Sequence, residues 1–438
     1  MKITEQKINQ AVLALRRLCL YKDITTDPVF ATATRLLDLL YEDAPLEVLE
    51  TYHDLVGQLA ASELGPKTNL DPWQNRLVEL ILYADNPFTR KAELYSLGEM
   101  STSLVKAAQN DLASLQTIFS LSWLLPEAVR YYLKQYPPTF LAADLPTWDT
   151  FQGMEETGDP ITEQLKALFR ENQDWPNLLP QLVEYYQRCG TGQFGRFHGF
   201  RWSEEGLRGI PQPDPIRLEN LIGYEREREL IIKNTEMFLK GARANNILLY
   251  GDRGTGKSST VKALLNEYGP RGLRLIEVPK QMLGQYSQII SLIEDRPQRF
   301  VLFVDDLSFD ENEGQYRDLK AILEGGLEVK PDNVVIYATS NRRHLVKETF
   351  QDRNGELRSQ DTVQEKLSLA DRFGITITFL SPDQKTYLAI VDGLAQQRGL
   401  PIDRETLHRR AIEWQAWHNG RSGRTARQFI DHLAAELA

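Results

Sequence analysis

The run Gly251-Asp252-Arg253-Gly254-Thr255-Gly256-Lys257-Ser258 fits G-x-x-x-x-G-K-[ST] at every fixed position, and no other stretch constrains the fold of this chain as tightly. A loop of this kind needs a strand to feed it and a helix to leave it. Its glycines let successive backbone N–H groups turn inward around phosphate oxygens. Lys257 supplies a point charge for the β- and γ-phosphates, and Ser258 offers a hydroxyl to Mg2+. The flanks supply what the loop needs. Asn246 to Tyr250 is a short apolar run of strand type, and Ser259 to Tyr268 reads as a helix whose N-terminal dipole faces the anion. The loop thus predicts a nucleotide held by Gly251, Asp252, Arg253, Gly254, Thr255, Gly256, Lys257, Ser258 and Ser259.

The rest of the 438-residue chain divides by rhythm, and that length suggests two or three domains. From Met1 to about Cys189 apolar residues recur at helical spacing, as in Val12-Leu13-Leu15-Leu18-Leu20, with prolines such as Pro72, Pro87, Pro126, Pro137 and Pro138 as punctuation. Residues 1–189 are expected to be an all-helical domain whose tryptophans, Trp73, Trp123 and Trp148, are core. Gly190-Thr191-Gly192-Gln193-Phe194-Gly195 matches G-x-G-x-x-G but follows a helical pattern instead of a strand, so it reads as a loop. Residues 190–217, with Pro211, Pro213 and Pro215, read as an extended linker. Strands then alternate with helices over 218–380: Asn246 to Tyr250, Leu273 to Val278, Phe300 to Asp305, Asn333 to Thr339 and Ile375 to Phe379. That alternation predicts a parallel sheet covered on both faces. Helical patterns resume over 381–438 as a small terminal domain.

Composition excludes several classes. With 42% hydrophobic and 26% charged residues this is an ordinary globular chain, and a net charge of -10 argues against a surface built throughout for nucleic acid. No stretch approaches the ~20 apolar residues of a membrane span, and the first residues lack the apolar core of a signal peptide. The two cysteines, Cys19 and Cys189, form no disulfide or zinc pattern and read as packing residues. The expected compartment is the cytoplasm.

Two later strands carry chemistry at their ends. Arg299 to Val304 runs into Asp305-Asp306, where a sheet of this type places its metal-coordinating acid. Asp305 is the candidate Mg2+ ligand beside Ser258. Asp306 is the candidate to orient or deprotonate the attacking water. A helix-capping pair of aspartates is the structural alternative. Val334 to Ser340 runs into Asn341, whose amide can donate to and accept from a water at once.

The order of loop, Asp305-Asp306, Asn341 and then Ala370-Asp371-Arg372-Phe373 resembles the AAA+ ATPases from about Leu218 to Ala438. Within that superfamily the runs Phe303 to Phe309, Tyr337 to His344 and Ser422 to Phe429 resemble a bacterial family of predicted ATPases carrying the label domain of unknown function 815. The resemblance implies a P-loop NTPase sheet flanked by helices with a C-terminal helical lid, and ATP with Mg2+ as ligands. It makes Asn341 the first sensor and Arg372 an arginine finger acting on a neighbouring copy, hence a homo-oligomer. It puts Ile222, Gly223 and Tyr224 against the adenine, and Arg427 in the role of second sensor, for which Arg424 competes. A surface salt bridge is the alternative for Arg372. Where the superfamily has Asp-Glu this chain has Asp305-Asp306, which implies slow hydrolysis.

Two functions compete. One is an ATPase that drives conformational change on an unknown client. The other is a nucleotide-gated, helicase-loader-like module that uses ATP as a switch on DNA or protein. Arg342-Arg343-His344, Arg409-Arg410 and Arg421 are the local basic groups that would serve nucleic acid. A GTPase is disfavoured because no Asn-Lys-x-Asp run is present, and a transporter ATPase because Leu-Ser-Gly-Gly-Gln is missing.

Overall fold

The computed structural model describes residues 2–65, 69–137, 144–151, 160–307, 314–324, 331–341, 372–418 and 420–437. They fall into two compact units, residues 1–196 and 197–438.

The first unit is helical, and its prolines begin helices far more than they interrupt them. Asp27, Asp71 and Asn86 each cap a helix whose first residue is proline: Pro28–Leu39, Pro72–Leu82 and Pro87–Ala92. Proline lacks the N–H that would go unpaired at that position, and the capping oxygen takes a following one. Pro126 is different and lies inside Leu121–Leu133. Trp73 and Trp148 are fully buried, as expected of core, but Trp123 is 49% exposed, with the Lys7 ammonium 4.5 Å from its ring centre. Cys189 packs on the edge of this core, whereas Cys19 is exposed.

In the second unit seven strands form one sheet: β1 (Gly199–Ser203), β2 (Gly206–Gly209), β3 (Ile247–Gly251), β4 (Leu273–Glu277), β5 (Arg299–Val304), β6 (Val334–Ser340) and β7 (Ile375–Phe379). Their spatial order is β2-β1-β4-β5-β6-β3-β7. Every pairing is parallel except the hairpin of β1 with β2. The five expected strands are β3 to β7. The segment expected as an extended linker instead contains a short helix, Gly192–Arg196, followed by β1 and β2, which lengthen the sheet beyond β4. Gly190-x-Gly192-x-x-Gly195 thus ends one helix and starts another turn of helix, without the strand a dinucleotide fingerprint requires.

β3 sits between β6 and β7, with Ile247, Leu248 and Leu249 inaccessible to solvent. Three helices, Gln384–Gln397, Arg404–Trp417 and Gly423–Leu437, follow the sheet and close a separate apolar cluster around Tyr387, Val391 and Phe429. Asp383 and Asp403 cap the first two. No helix among the described residues is long and apolar enough to cross a membrane.

Candidate nucleotide site

A cavity of about 650 Å3 opens where β3, β5 and β6 end. The loop that leaves β3 is shaped by glycines that no other residue can replace at equal cost. At Gly251 φ is 139°, and a Cβ there would lie 1.9 Å from the Phe379 carbonyl oxygen of β7. At Gly254 φ is 76°, and a Cβ would press on Ser422 and Arg424 of the lid at 3.0 Å. The chain then enters the helix Lys257–Tyr268, whose first turn faces the cavity with Lys257, Ser258 and Ser259.

Lys257 is buried, and its three ammonium donors meet three acceptors. These are the carbonyls of Gly251 at 2.9 Å and Asp252 at 2.7 Å, and Asn341 Oδ1 at 3.3 Å. Burial holds its pKa below the ordinary lysine value, and the carboxylates of Asp252, Asp305 and Asp306 work in the opposite direction. Asp252 does not line the cavity. It accepts from Ser381 N at 2.9 Å and Ser381 Oγ at 2.6 Å, which lowers its pKa, and its own N–H donates to Phe379 O.

The acids sit just beyond β5. Ser258 Oγ donates to Asp305 Oδ1 at 2.6 Å, and Asn341 Nδ2 donates to Asp306 Oδ1 at 2.6 Å. Asp306 has φ 51°, a left-handed conformation uncommon for a residue with a side chain. Ser258 and Asp305 present hard oxygen donors side by side, the donor chemistry that would suit Mg2+. Asp305, Asp306 and Asn341 therefore meet at one point with the loop's lysine and serine.

The far wall is apolar. Ile222, Tyr224, Phe379, Ile390 and Leu394 line it. The Tyr224 ring lies tilted against Phe379 with centres 5.2 Å apart, and its hydroxyl donates to Leu380 O at 2.5 Å; burial pushes its pKa up to about 12. Gly223, with φ 80°, accepts from the Arg228 guanidinium and turns the chain so that Ile222 meets the lid at Gly393. Arg424 and Arg427 reach the cavity from the lid helix Gly423–Leu437, and the Arg424 N–H donates to Gly254 O at 3.1 Å.

Arg372 is half-buried just before β7 and does not line this cavity. The basic run Arg342-Arg343-His344 and Ala370-Asp371 lie outside the described residues. Arg410 is paired with Glu436, and Arg421 donates to Gln384. Reading the sequence missed Arg228, Thr339 and Ser381. Arg228 lies in a charged stretch, Glu225 to Glu229, that reads as a solvated helix face, yet its side chain is only 11% exposed.

A P-loop strand separated from an acid-bearing strand by one that runs into Asn341, and followed by a helical lid with Arg424 and Arg427 on the cavity, defines an AAA+ P-loop NTPase fold. Residues 195–437, more than half of the chain, match the model of the family described as Protein of unknown function (DUF815), and the chain belongs to that family. No curated protein matches it. Among solved structures it is similar to the Holliday junction branch migration motor RuvB of Thermotoga maritima, with 15% identity over 50% of this chain and 72% of that one and a TM-score of 0.33. A single-residue variant of that motor gives the same figures.

Proposed function

We propose that this protein binds ATP with Mg2+ in the cavity beside β3 and hydrolyses it slowly, using the cycle to drive conformational change or assembly on a protein or nucleic-acid client. The observation that carries the reading is the convergence of Lys257, Ser258, Asp305, Asp306 and Asn341 with two lid arginines on one cavity. In this reading the loop amides and Lys257 hold the β- and γ-phosphates, while Ile222, Gly223 and Tyr224 bound the adenine. Ser258 and Asp305 would hold Mg2+, which would supply positive charge against the phosphate oxygens. Asp306 takes a proton from the attacking water, Asn341 orients that water, and Arg427 carries lid movement to the γ-phosphate. Arg424 also lines the cavity from the same helix and is the alternative for that role.

One observation favours the switch-like alternative, in which ATP gates loading and hydrolysis only resets it. Asp306 is one methylene shorter than the glutamate usual at this place in AAA+ ATPases, and its Oδ1 already accepts from Asn341, which leaves one oxygen to reach a water. Titration calorimetry with ATP and Mg2+ tests the shared core of both readings: Lys257→Ala should lose binding altogether. Asp306→Asn should bind as wild type while phosphate release falls 10²- to 10⁴-fold, the usual worth of a general base. Wild-type release from that variant would refute the role. Turnover with and without added DNA separates a motor from a loader.

A further inference from the structure

Thr339 lies in β6, two residues before Asn341, and is 2% exposed. Its hydroxyl donates to Asp305 Oδ1 at 2.5 Å and accepts the Asp306 N–H at 2.9 Å, while its carbonyl accepts the Leu307 N–H at 2.7 Å. A hydroxyl has one proton and two lone pairs. With an N–H pointing at its oxygen, the proton is directed to the carboxylate. The same Asp305 oxygen receives Ser258 Oγ, so Thr339 and Ser258 hold it from two sides. On the other side of the peptide, Asp306 occupies a left-handed conformation, which persists in a residue with a side chain only where the surroundings enforce it. The Thr339 oxygen is the acceptor for that residue's amide. One buried hydroxyl thus sets the rotamer of the first acid and the backbone turn that aims the second at Asn341.

We propose that Thr339 is the positioning residue for both acids, coupling the placement of the metal ligand to that of the water-activating base. The proposal rests on the ATP reading above. Its test is the full-length chain carrying Thr339→Val, an isosteric exchange that removes the hydroxyl, alongside Thr339→Ser, which keeps it. ATP affinity is measured in EDTA and in Mg2+, together with kcat. Thr339→Val should bind ATP in EDTA within about two-fold of wild type. It should lose 10- to 100-fold in the Mg2+-dependent gain in affinity and in kcat, as loss of an outer-shell partner of a metal ligand does. Thr339→Ser should recover both, a rescue that a packing role for the methyl group would not give. Should Thr339→Val melt too low to assay, Thr339→Ala, which leaves room for a water, is read the same way. Wild-type Mg2+ dependence and kcat in the valine or alanine variant, or a serine variant as impaired as they are, would overturn the proposal while ATP binding by wild type still stood. A wild-type protein that binds no ATP would instead bring down the reading beneath it.

Discussion

At the scale of single residues the site is governed by backbone conformations that side chains resist. Gly251 and Gly256 both have positive φ, but their surroundings differ. A Cβ on Gly251 runs into the main chain of β7, and a Cβ on Gly256 meets nothing within 4 Å. Gly256→Ala therefore bears only the left-handed penalty, about 1 kcal/mol. Gly251→Ala must also part β3 from β7 and should cost ~3 kcal/mol or more. Urea unfolding of the two variants measures the difference, and equal losses would mean that the β3–β7 contact yields. Lys257 illustrates the complementary constraint. Burial disfavours its charge, yet it stays satisfied because the loop turns two carbonyls onto the ammonium and β6 brings the Asn341 amide oxygen.

At the scale of elements, the join between sheet and lid is a short segment held by the loop itself. Asp252 accepts twice from Ser381, immediately after β7, and Tyr224 donates to the neighbouring Leu380 carbonyl. The hydrogen bonds from Ser381 lower the pKa of Asp252 in the folded protein, so the folded state favours its charged form. That contribution is complete above the unfolded value and disappears as pH falls through the folded one. Asp252→Ala should accordingly lower the melting temperature at pH 7, and the gap to wild type should narrow as the pH is taken from 5 toward 3. A gap independent of pH would mean that the clasp owes nothing to the carboxylate. The strands around this join were legible because β3 to β7 are apolar, β-branched and separated by helical stretches. β1 and β2 were not, since glycines bound the hairpin, no helical stretch separates the two, and their place beside β4 is a non-local pairing. The same holds within the site. Lys257, Asp305 and Asn341 announce themselves by motif or by position at a strand end. Thr339 becomes visible only through the register of β5 with β6, in which Val304 faces Ala338 and the next residues are Asp305 and Thr339. Trp123 was misread because helical periodicity marks a face without fixing its margins, and an aromatic can lie half in solvent with a lysine ammonium over its ring instead of in the core.

At the scale of the whole molecule, the position of Arg372 bears on whether one copy of the chain can complete its own site. In β7, Phe379 pairs with Gly251 at the loop end of β3, and Ile375 pairs with Ile247 at the other end. Arg372 precedes Ile375, so the length of β7, on the order of 15 Å at ~3.3 Å per residue, separates it from the loop end of the sheet. That is farther than an arginine side chain extends, and a charge delivered to the γ-phosphate from there has to go to a different copy. A trans finger makes a prediction that a structural arginine does not. Lys257→Ala keeps the finger and loses nucleotide, while Arg372→Ala keeps nucleotide and loses the finger. Each alone should be inactive, and an arginine finger is worth on the order of 10³- to 10⁵-fold in kcat. Mixed in equal amounts, they should regain part of the wild-type turnover, because some interfaces then pair an intact cradle with an intact finger. Light scattering of the same mixtures with ATP and Mg2+ should report a species larger than one chain. An Arg372→Ala protein that hydrolyses ATP as wild type does, or mixtures that assemble and stay silent, would return Arg372 to a structural role.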